Sequence, residues 1–361
     1  MAIVGVGLIG GSLGLALKRV GTGARLVGIS RRATLDTALE LGAIDEGWTY
    51  EELPAALAAV DLVFLCTPIR HIIGVLPQVM AAAAPGALVT DVGSTKRRIA
   101  AEAARCRRPD VHFLGGHPMA GSEKAGVTAA DPFLFQNAIY ILVPEAGVPE
   151  PLHRGLRELV RSVGARVLEL SVEDHDRVVA AISHLPQVLA TSLVEMVGRL
   201  NDASEGYFLA LAAGGFRDMT RIASSPFAPV WQDICSTNAD SIGAMVDRYI
   251  EVLQGVRARL GEDSLGEDFA YANRVRAGIP RDAKGFIHQL HEILVVAEDR
   301  PGILAEIATA MANEQVNIND IEIVKVREGE GGTIRLGFDS DAAAARALEL
   351  LHGLGYKARR P

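Results

Sequence analysis

A single histidine, His117, sits in the stretch FLGGHPMAGSEKAG (Phe113 to Gly126), with Gly115, Gly116, Gly121 and Gly126 around it and Pro118 directly behind it. Imidazole titrates near neutral pH, so such a residue can take a proton from a substrate hydroxyl. Glycines let backbone come close to another group, and here they would let His117 reach a ligand without crowding it. Ser94, in TDVGSTK, is a natural companion. Its hydroxyl can donate to or accept from an imidazole and fix the tautomer and orientation of the ring. The pair suits hydride removal from a carbinol carbon, which needs a proton acceptor as the oxygen becomes a carbonyl or a phenol.

Two further groups lie later in the chain. In ISHLPQVLA, His184 and Gln187 are three residues apart on an apolar helical stripe, beside Pro186. Polar groups there are costly unless paired, so they either read a substrate or are satisfied core residues. In GGFRDMTRIASSP, Arg221 offers a guanidinium fork for a carboxylate, with a salt bridge to Asp218 as the plainer alternative. His71, His112, His153, His175 and His352 have no supporting company and read as structural or surface residues. His288 and His291 are three apart, but no further ligands accompany them, so no metal site is expected.

A cofactor site is written at the start. Gly5-Val6-Gly7-Leu8-Ile9-Gly10 is GxGxxG, placed between an apolar strand and a helix whose inner face carries Leu13, Ala16 and Leu17. In that context the glycines make a tight turn, admit a pyrophosphate and let helix and strand pack closely, with the helix N-terminus facing the phosphates. At the end of the second strand, where an acidic residue would bond both ribose hydroxyls, stand Ser30, Arg31 and Arg32. Arginines there pair with a 2′-phosphate and lean toward NADP; stacking of one arginine on adenine keeps NAD open. Thr67, Pro68 and Gly93 end later strands on the same side of the sheet, where the crevice of an open sheet binds ligands.

The elements that must position these groups follow from patterning. The chain has 361 residues, enough for two or three domains, with 49% hydrophobic and 22% charged residues. A net charge of −8 gives no footprint for nucleic acid. Cys66, Cys106 and Cys235 are scattered, which points to a reducing cytoplasm rather than a disulfide framework. The apolar start lacks a positive leader region, and no other apolar run approaches the roughly 18 residues of a membrane span, so no membrane association is expected. Residues 1–171 alternate apolar strands with helices, which predicts a mostly parallel, doubly wound α/β sheet. Residues 172–285 read as helical with a linker; Val178, Ile182, Leu185, Leu189 and Leu193 form a stripe bent at Pro186, and a shared helical core suggests a dimer. Residues 286–361 read as a βαββαβ module of ferredoxin-like type. In it, Asp299, Arg300, Pro301 and Gly302 form a turn whose helix-start amides suit a carboxylate, and Asn317 and Asn319 suit an amino group.

The segments GVGLIGGSLG, TDVGSTK, GGHPMAGSEKAG, SHLPQ and GGFRDMTRIASSP, in this order, resemble the prephenate dehydrogenases along essentially the whole chain. AEDRPGILAEI and VNIND resemble an ACT domain, a small-molecule regulatory fold. The resemblance implies a Rossmann-like sheet, an all-α dimerisation domain that makes a homodimer, and a C-terminal ACT domain. It implies a catalytic His117 oriented by Ser94, with Arg221 on a substrate carboxylate and His184, Gln187 and Ser122 in the substrate pocket. The implied reaction is oxidative decarboxylation of prephenate to 4-hydroxyphenylpyruvate with reduction of NAD or NADP, and tyrosine is the expected effector. Many relatives read S-H-x-P-H where this chain has Gln187, which keeps the amino analogue arogenate open as substrate. Two other readings compete. A reductase of the β-hydroxyacid type would call on a lysine in the helical region, and residues 172–259 contain none. A non-catalytic dinucleotide sensor would have no need for Ser94, His117 and Arg221 together.

Overall fold

Continuous burial along the first strands decides the architecture. The computed structural model describes residues 1–121, 124–278, 290–298, 300–327 and 331–360. Its large sheet contains β1 (Ala2–Val4), β2 (Val27–Ile29), β3 (Glu46–Trp48), β4 (Leu62–Leu65), β5 (Leu88–Asp91), β6 (His112–Pro118), β7 (Ile139–Val143) and β8 (Arg166–Glu169). Val4, Ile29, Val63 and Leu65 pack on one face, while Phe64, Leu114 and Leu142 pack on the other. Strands apolar on both faces need helices on both faces, which a parallel sheet with crossover helices supplies. These are α1 (Leu8–Arg19), α2 (Arg32–Glu40), α3 (Leu53–Leu57), α4 (Ile69–Ala82), α5 (Arg97–Arg105) and α6 (Glu150–Ser162). The strand order is β3-β2-β1-β4-β5-β6-β7-β8, and only the β6–β7 pair among these is antiparallel. Strand β3, with sequence EGW, holds no apolar run and is half-buried at the sheet edge, so hydropathy does not reveal it.

A long helical run follows: α7 (Val172–Val179), a π-helical turn over Ala180–His184, and α8 (Leu185–Asp202). Proline removes one intrahelical bond, and the widened turn sits directly before Pro186, so the axis adjusts without breaking. The buried face is Asp176, Ala180, His184 and Gln187. This differs from the expected inward stripe. Val178, Leu185, Leu189 and Leu193 are only half-buried and Ile182 is 63% exposed. The polar face turns inward because it has partners there, and the apolar stripe is left outward. The run also corrects the expectation that no stretch approaches membrane-span length, since Val172–Asp202 passes by length and composition. Between Val178 and Val194 it carries no Asp, Glu, Lys or Arg. Its buried histidines and carboxylate are engaged inside protein, as shown below.

Then come α9 (Tyr207–Ala210), α10 (Gly214–Thr220), α11 (Gln232–Thr237), α12 (Ala239–Ala258) and α13 (Leu265–Gly278). Leu211 is 80% exposed, Leu260 68% and Met219 65%. So many exposed large apolar side chains on one helical region mark an interaction surface.

Residues 1–270 form one compact unit, which takes in the expected 1–171 domain and most of the expected 172–285 region, and residues 271–361 form a second. The boundary expected at 285/286 lies outside the described residues. The second unit has β9 (His291–Ala297), α14 (Ile303–Asn313), β10 (Asp320–Arg327), β11 (Gly331–Phe338), α15 (Asp341–Gly353) and β12 (Lys357–Arg359), in the expected βαββαβ order. Its antiparallel sheet, ordered β10-β11-β9-β12, buries Ile293, Val295, Leu336 and Phe338 against Ile307, Met311 and Leu351.

Two glycines of the first turn differ in what surrounds them. A Cβ on Gly10 would lie 2.2 Å from the Gly5 carbonyl oxygen and 2.9 Å from Ile3, whereas one on Gly7 meets nothing within 4 Å. Gly10→Ala is therefore expected to lower stability by about 1–3 kcal/mol in urea denaturation. Gly7→Ala should stay within about 0.5 kcal/mol of the parent. Equal losses would contradict this packing account.

Candidate active site

The carboxyl ends of β1, β4, β5 and β6 open on one side, and the helical region faces them. A cleft of about 510 Å³ lies there. Its sheet-side wall includes Leu8, Ile9, Thr67, Pro68, Gly93 and Ser94, and its far wall runs through Ser225, Pro226, Ala228, Pro229, Val230 and Trp231.

Several observations fit a dinucleotide along the sheet side. Gly5 has φ +93°, a region that favours glycine, and its Cβ would strike Thr67 at 2.4 Å. Space above Gly7 is open, and the first turn of α1 has no side-chain cap, so its amides are available to an anion. Thr67 Oγ1 is buried without a partner among the described residues. Ser30 is buried at the end of β2, and Arg31 and Arg32 are exposed beside it. Among the described residues, Arg32 meets only Glu52 as a salt-bridge partner, at 4.0 Å.

His117 is the penultimate residue of β6 and is 7% exposed. Its Nδ1 lies 2.8 Å from Nε2 of His175, whose own Nδ1 lies 2.8 Å from Asp176 Oδ1. The reading of His175 as a bland residue is thus corrected. It sat in a charged run, VEDHDR, that resembles a solvated face, yet α7 turns His175 and Asp176 fully inward. Asp176 also accepts the backbone N–H of Lys96 (2.7 Å) and of Arg97 (2.9 Å), at the start of α5. Burial pushes its carboxyl up, but His175 and those two amides pull it below the ordinary aspartate value. Burial, then the neighbouring His175 and Lys96, holds His117 well below the usual histidine value, and burial lowers His175 as well. Burial thus favours the neutral form of both rings.

Beneath them lies a buried ion pair. Lys96, 1% exposed, donates to Asp91 and, at 2.7 Å, to the Gly116 carbonyl. Asp91 also accepts from the amides of Gly93 and Gly116. This changes the meaning of the glycines before His117. A Cβ on Gly116 would lie 2.7 Å from the Asp91 carbonyl oxygen and 3.0 Å from Tyr140. Gly115 faces Lys96 and Val143. They clear space for protein beneath the histidine, not for a ligand above it. An acid ending a buried strand needs a counter-charge, and that was the one available signal for Lys96.

The remaining expected residues are placed as follows. Ser94 lines the cleft, and the ring of His117 is bonded by His175. His184 is 1% exposed, with Nδ1 3.4 Å from Asn238 and its ring edge-on to Trp231 at 6.0 Å. Burial pulls His184 down to about 4. Gln187 donates to the Ile222 carbonyl (3.0 Å) and to Thr191 (3.3 Å), which fastens the short turn Arg221–Ser224 onto α8. Arg221, exposed, begins that turn. Ser122 lies outside the described residues, as does Asp299. In the second unit, Arg300 pairs with Glu306 at 2.7 Å, Pro301 follows it, and Gly302 (φ +91°) starts α14. Asn317 is exposed, and Asn319 Oδ1 is buried without a partner among the described residues. Residues not expected from sequence include Arg70 and Asp233. Asp233 accepts the Arg70 amide at 3.0 Å and joins the start of α4 to α11.

Comparison with known proteins identifies the family. Residues 13–169 match the family model described as prephenate dehydrogenase, nucleotide-binding domain; residues 171–271 match its dimerization domain, and residues 291–349 match the ACT domain. A prephenate dehydrogenase of Bacillus subtilis (strain 168) is 36% identical over 97% of this chain and 94% of that protein. The structure of prephenate dehydrogenase from A. aeolicus in complex with hydroxyphenyl propionate and NAD+ superposes with a TM-score of 0.71 at 29% identity, covering 77% of this chain and 97% of that one. Synechocystis arogenate dehydrogenase gives 0.67 at 29% identity, covering 76% and 97%.

The ion pair under His117 has a testable weight. Lys96→Met leaves Asp91 as an uncompensated buried charge and is expected to cost about 3–5 kcal/mol of stability. Adding Asp91→Asn should recover much of that loss, as measured by urea denaturation. A single variant as stable as the parent would show that the pair contributes nothing.

Proposed function

The chain belongs to the prephenate dehydrogenase family, and we propose that it converts prephenate to 4-hydroxyphenylpyruvate by oxidative decarboxylation in the cleft between sheet and helices. The observation that carries this reading is a buried imidazole, His117, near the end of a sheet strand, three residues before Ala120 and Gly121 in the lining of a cleft whose opposite wall is mostly apolar. The bound dinucleotide supplies the hydride acceptor.

His117 accepts the proton of the C4 hydroxyl as hydride leaves C4 and the oxygen becomes a carbonyl. The bond to the ring carboxylate then breaks, carbon dioxide departs, and its electron pair makes the ring aromatic. The phenolate oxygen formed takes the proton back, so His117 ends as it began. Ser94 contributes a second hydrogen bond to the same hydroxyl. Arg221 holds a carboxylate of the dianion, while the turn that carries it is fixed through Gln187. His184, neutral and donating through one nitrogen, lies behind Trp231 in the same wall. The apolar segment from Pro226 to Val230 keeps the leaving carboxylate dry, which favours its loss. Ser122 is a further substrate-binding candidate from its sequence motif alone. The substrate alternative is arogenate, favoured by the single observation of Gln187 where a histidine is common; an amide oxygen can accept from an ammonium.

For the cofactor, Arg31 and Arg32 beside Ser30 support NADP over NAD, since no acidic residue occupies that strand end. The outward stripe of α8 and the exposed apolar residues of α9 to α12 support a homodimer through the helical region. In the second unit, the start of α14 and the unpartnered Asn319 support capture of an amino acid, tyrosine being the product-side candidate. Asp299, Arg300, Pro301 and Asn317 are further candidates for that effector site from their place in the sequence.

Initial rates with prephenate are expected to show reduction of both dinucleotides, with kcat/KM higher for NADP. Double replacement of Arg31 and Arg32 by Ala should lower the NADP value about tenfold more than the NAD value, one good charge-assisted contact. Turnover with arogenate only would displace prephenate as substrate. Tyrosine should inhibit the parent, and Asn319→Ala should lose that inhibition at unchanged basal rate. Inhibition that persists undiminished in this variant would remove Asn319 from the effector site.

A further inference from the structure

The proton borrowed in this reaction must be taken at one defined nitrogen and returned. From the His117–His175–Asp176 chain we infer that His175 and Asp176 are positioning residues: they lock the proton of His117 on Nδ1 and leave Nε2 as the base. The inference rests on the prephenate reading for its chemistry, but the tautomer itself does not.

The argument runs from the carboxylate outward. Asp176 can only accept, and it already takes two backbone amides from the start of α5. Its contact with His175 Nδ1 therefore requires a proton on that nitrogen. A neutral His175 then has its lone pair on Nε2, so it accepts, and the partner at 2.8 Å, His117 Nδ1, must be the donor. The lone pair of His117 is left on Nε2. When Nε2 gains the C4 hydroxyl proton, the O–H bond breaks and an N–H bond forms. The positive charge on His117 is shared along the two rings toward Asp176. When the phenolate reclaims the proton, each hydrogen bond returns to its starting sense, and no proton leaves the site. A buried aspartate behind a histidine base does the same in the serine-protease triad, where its amide replacement costs about 10⁴ in kcat through the wrong tautomer. Lys96, Asp91 and His184 are the other titratable groups around these rings. Lys96 is committed to Asp91 and the Gly116 carbonyl, and the His184 contact is with Asn238, so none of the three is hydrogen-bonded to the rings.

His175 is the position to vary, because Asp176 also anchors the start of α5. His175→Leu removes the acceptor; His175→Gln puts an amide oxygen near the place of Nε2 and keeps it. With prephenate and the preferred dinucleotide, His175→Leu is expected to lower kcat by about 10²–10⁴-fold. KM and dinucleotide affinity should stay within about threefold, and His175→Gln should regain at least about tenfold over Leu, being able to hold the tautomer. Side-chain ¹⁵N NMR of histidine-labelled parent enzyme should place the His117 proton on Nδ1. A His117 protonated on Nε2, a Leu variant within threefold of the parent kcat, or a Gln variant no better than Leu would each overturn the assignment. Absence of parent turnover with prephenate would overturn the reaction instead, and the NMR result would still decide the tautomer.

Discussion

Asp176 is a carboxylate removed from water, and the site is organised by what it takes to keep it ionised there. An isolated buried carboxylate would protonate rather than bear the desolvation cost. Three donors prevent this: the amides of Lys96 and Arg97, and His175. Two of the three belong to the sheet domain and one to α7. A single side chain thus binds the helical region to the start of α5 and sets the orientation of the ring behind His117. Asn238 adds to this junction by donating to the Asp176 carbonyl at 2.9 Å, and Thr95 meets Thr237 at 2.7 Å. His117 comes from one part and its hydrogen-bonded support from the other, so the proposed chemistry depends on how well the two are joined.

The helical run around Asp176 shows why its apolar stripe is not its buried face. Asp176, His184 and Gln187 must be inside, since each has its partner there. A helix has one orientation to give, and satisfying these groups turns Ile182 and Met196 outward. Leaving buried polar groups unpaired would cost about 1–3 kcal/mol each, comparable to what burying one aliphatic side chain returns. A second copy can cover the outward stripe afterwards, whereas the Lys96 and Arg97 amides would lose their acceptor if Asp176 turned outward. The outward apolar stripe is therefore what remains once the buried polar groups are satisfied.

This balance also explains what was legible in the sequence. The strand–helix alternation, the GxGxxG turn and the βαββαβ module were readable because each rests on local periodicity or on glycine spacing. Leu13, Ala16 and Leu17 are buried in the structure, on the face of α1 that their spacing defines. Strand β3 was not readable, since EGW at a sheet edge carries no apolar pattern. His175 was not readable either, because a charged run is usually solvated and only tertiary contact shows that two of its members face inward. Gly115 and Gly116 were seen to matter, but their neighbours were wrong. The space they leave is filled by Lys96, Asp91 and Tyr140, residues distant in sequence whose arrival no local rule announces.

A base held well below its usual pKa looks poorly suited to take a proton, yet the chemistry makes it suitable. Desolvation, then His175 and the buried Lys96, disfavours the charged form of His117 and keeps its lone pair available for the proposed transfer. The substrate hydroxyl is a weak acid only in the ground state. As hydride leaves C4, the oxygen becomes part of an incipient protonated carbonyl, and its acidity rises steeply. A strong base is then unnecessary, and it would be a hindrance, because the phenolate must recover the same proton before product leaves. Catalytic pKa values are best matched to both directions of a transfer. A weakly basic, firmly oriented imidazole, backed by a carboxylate that can share its transient charge, meets both demands with one side chain.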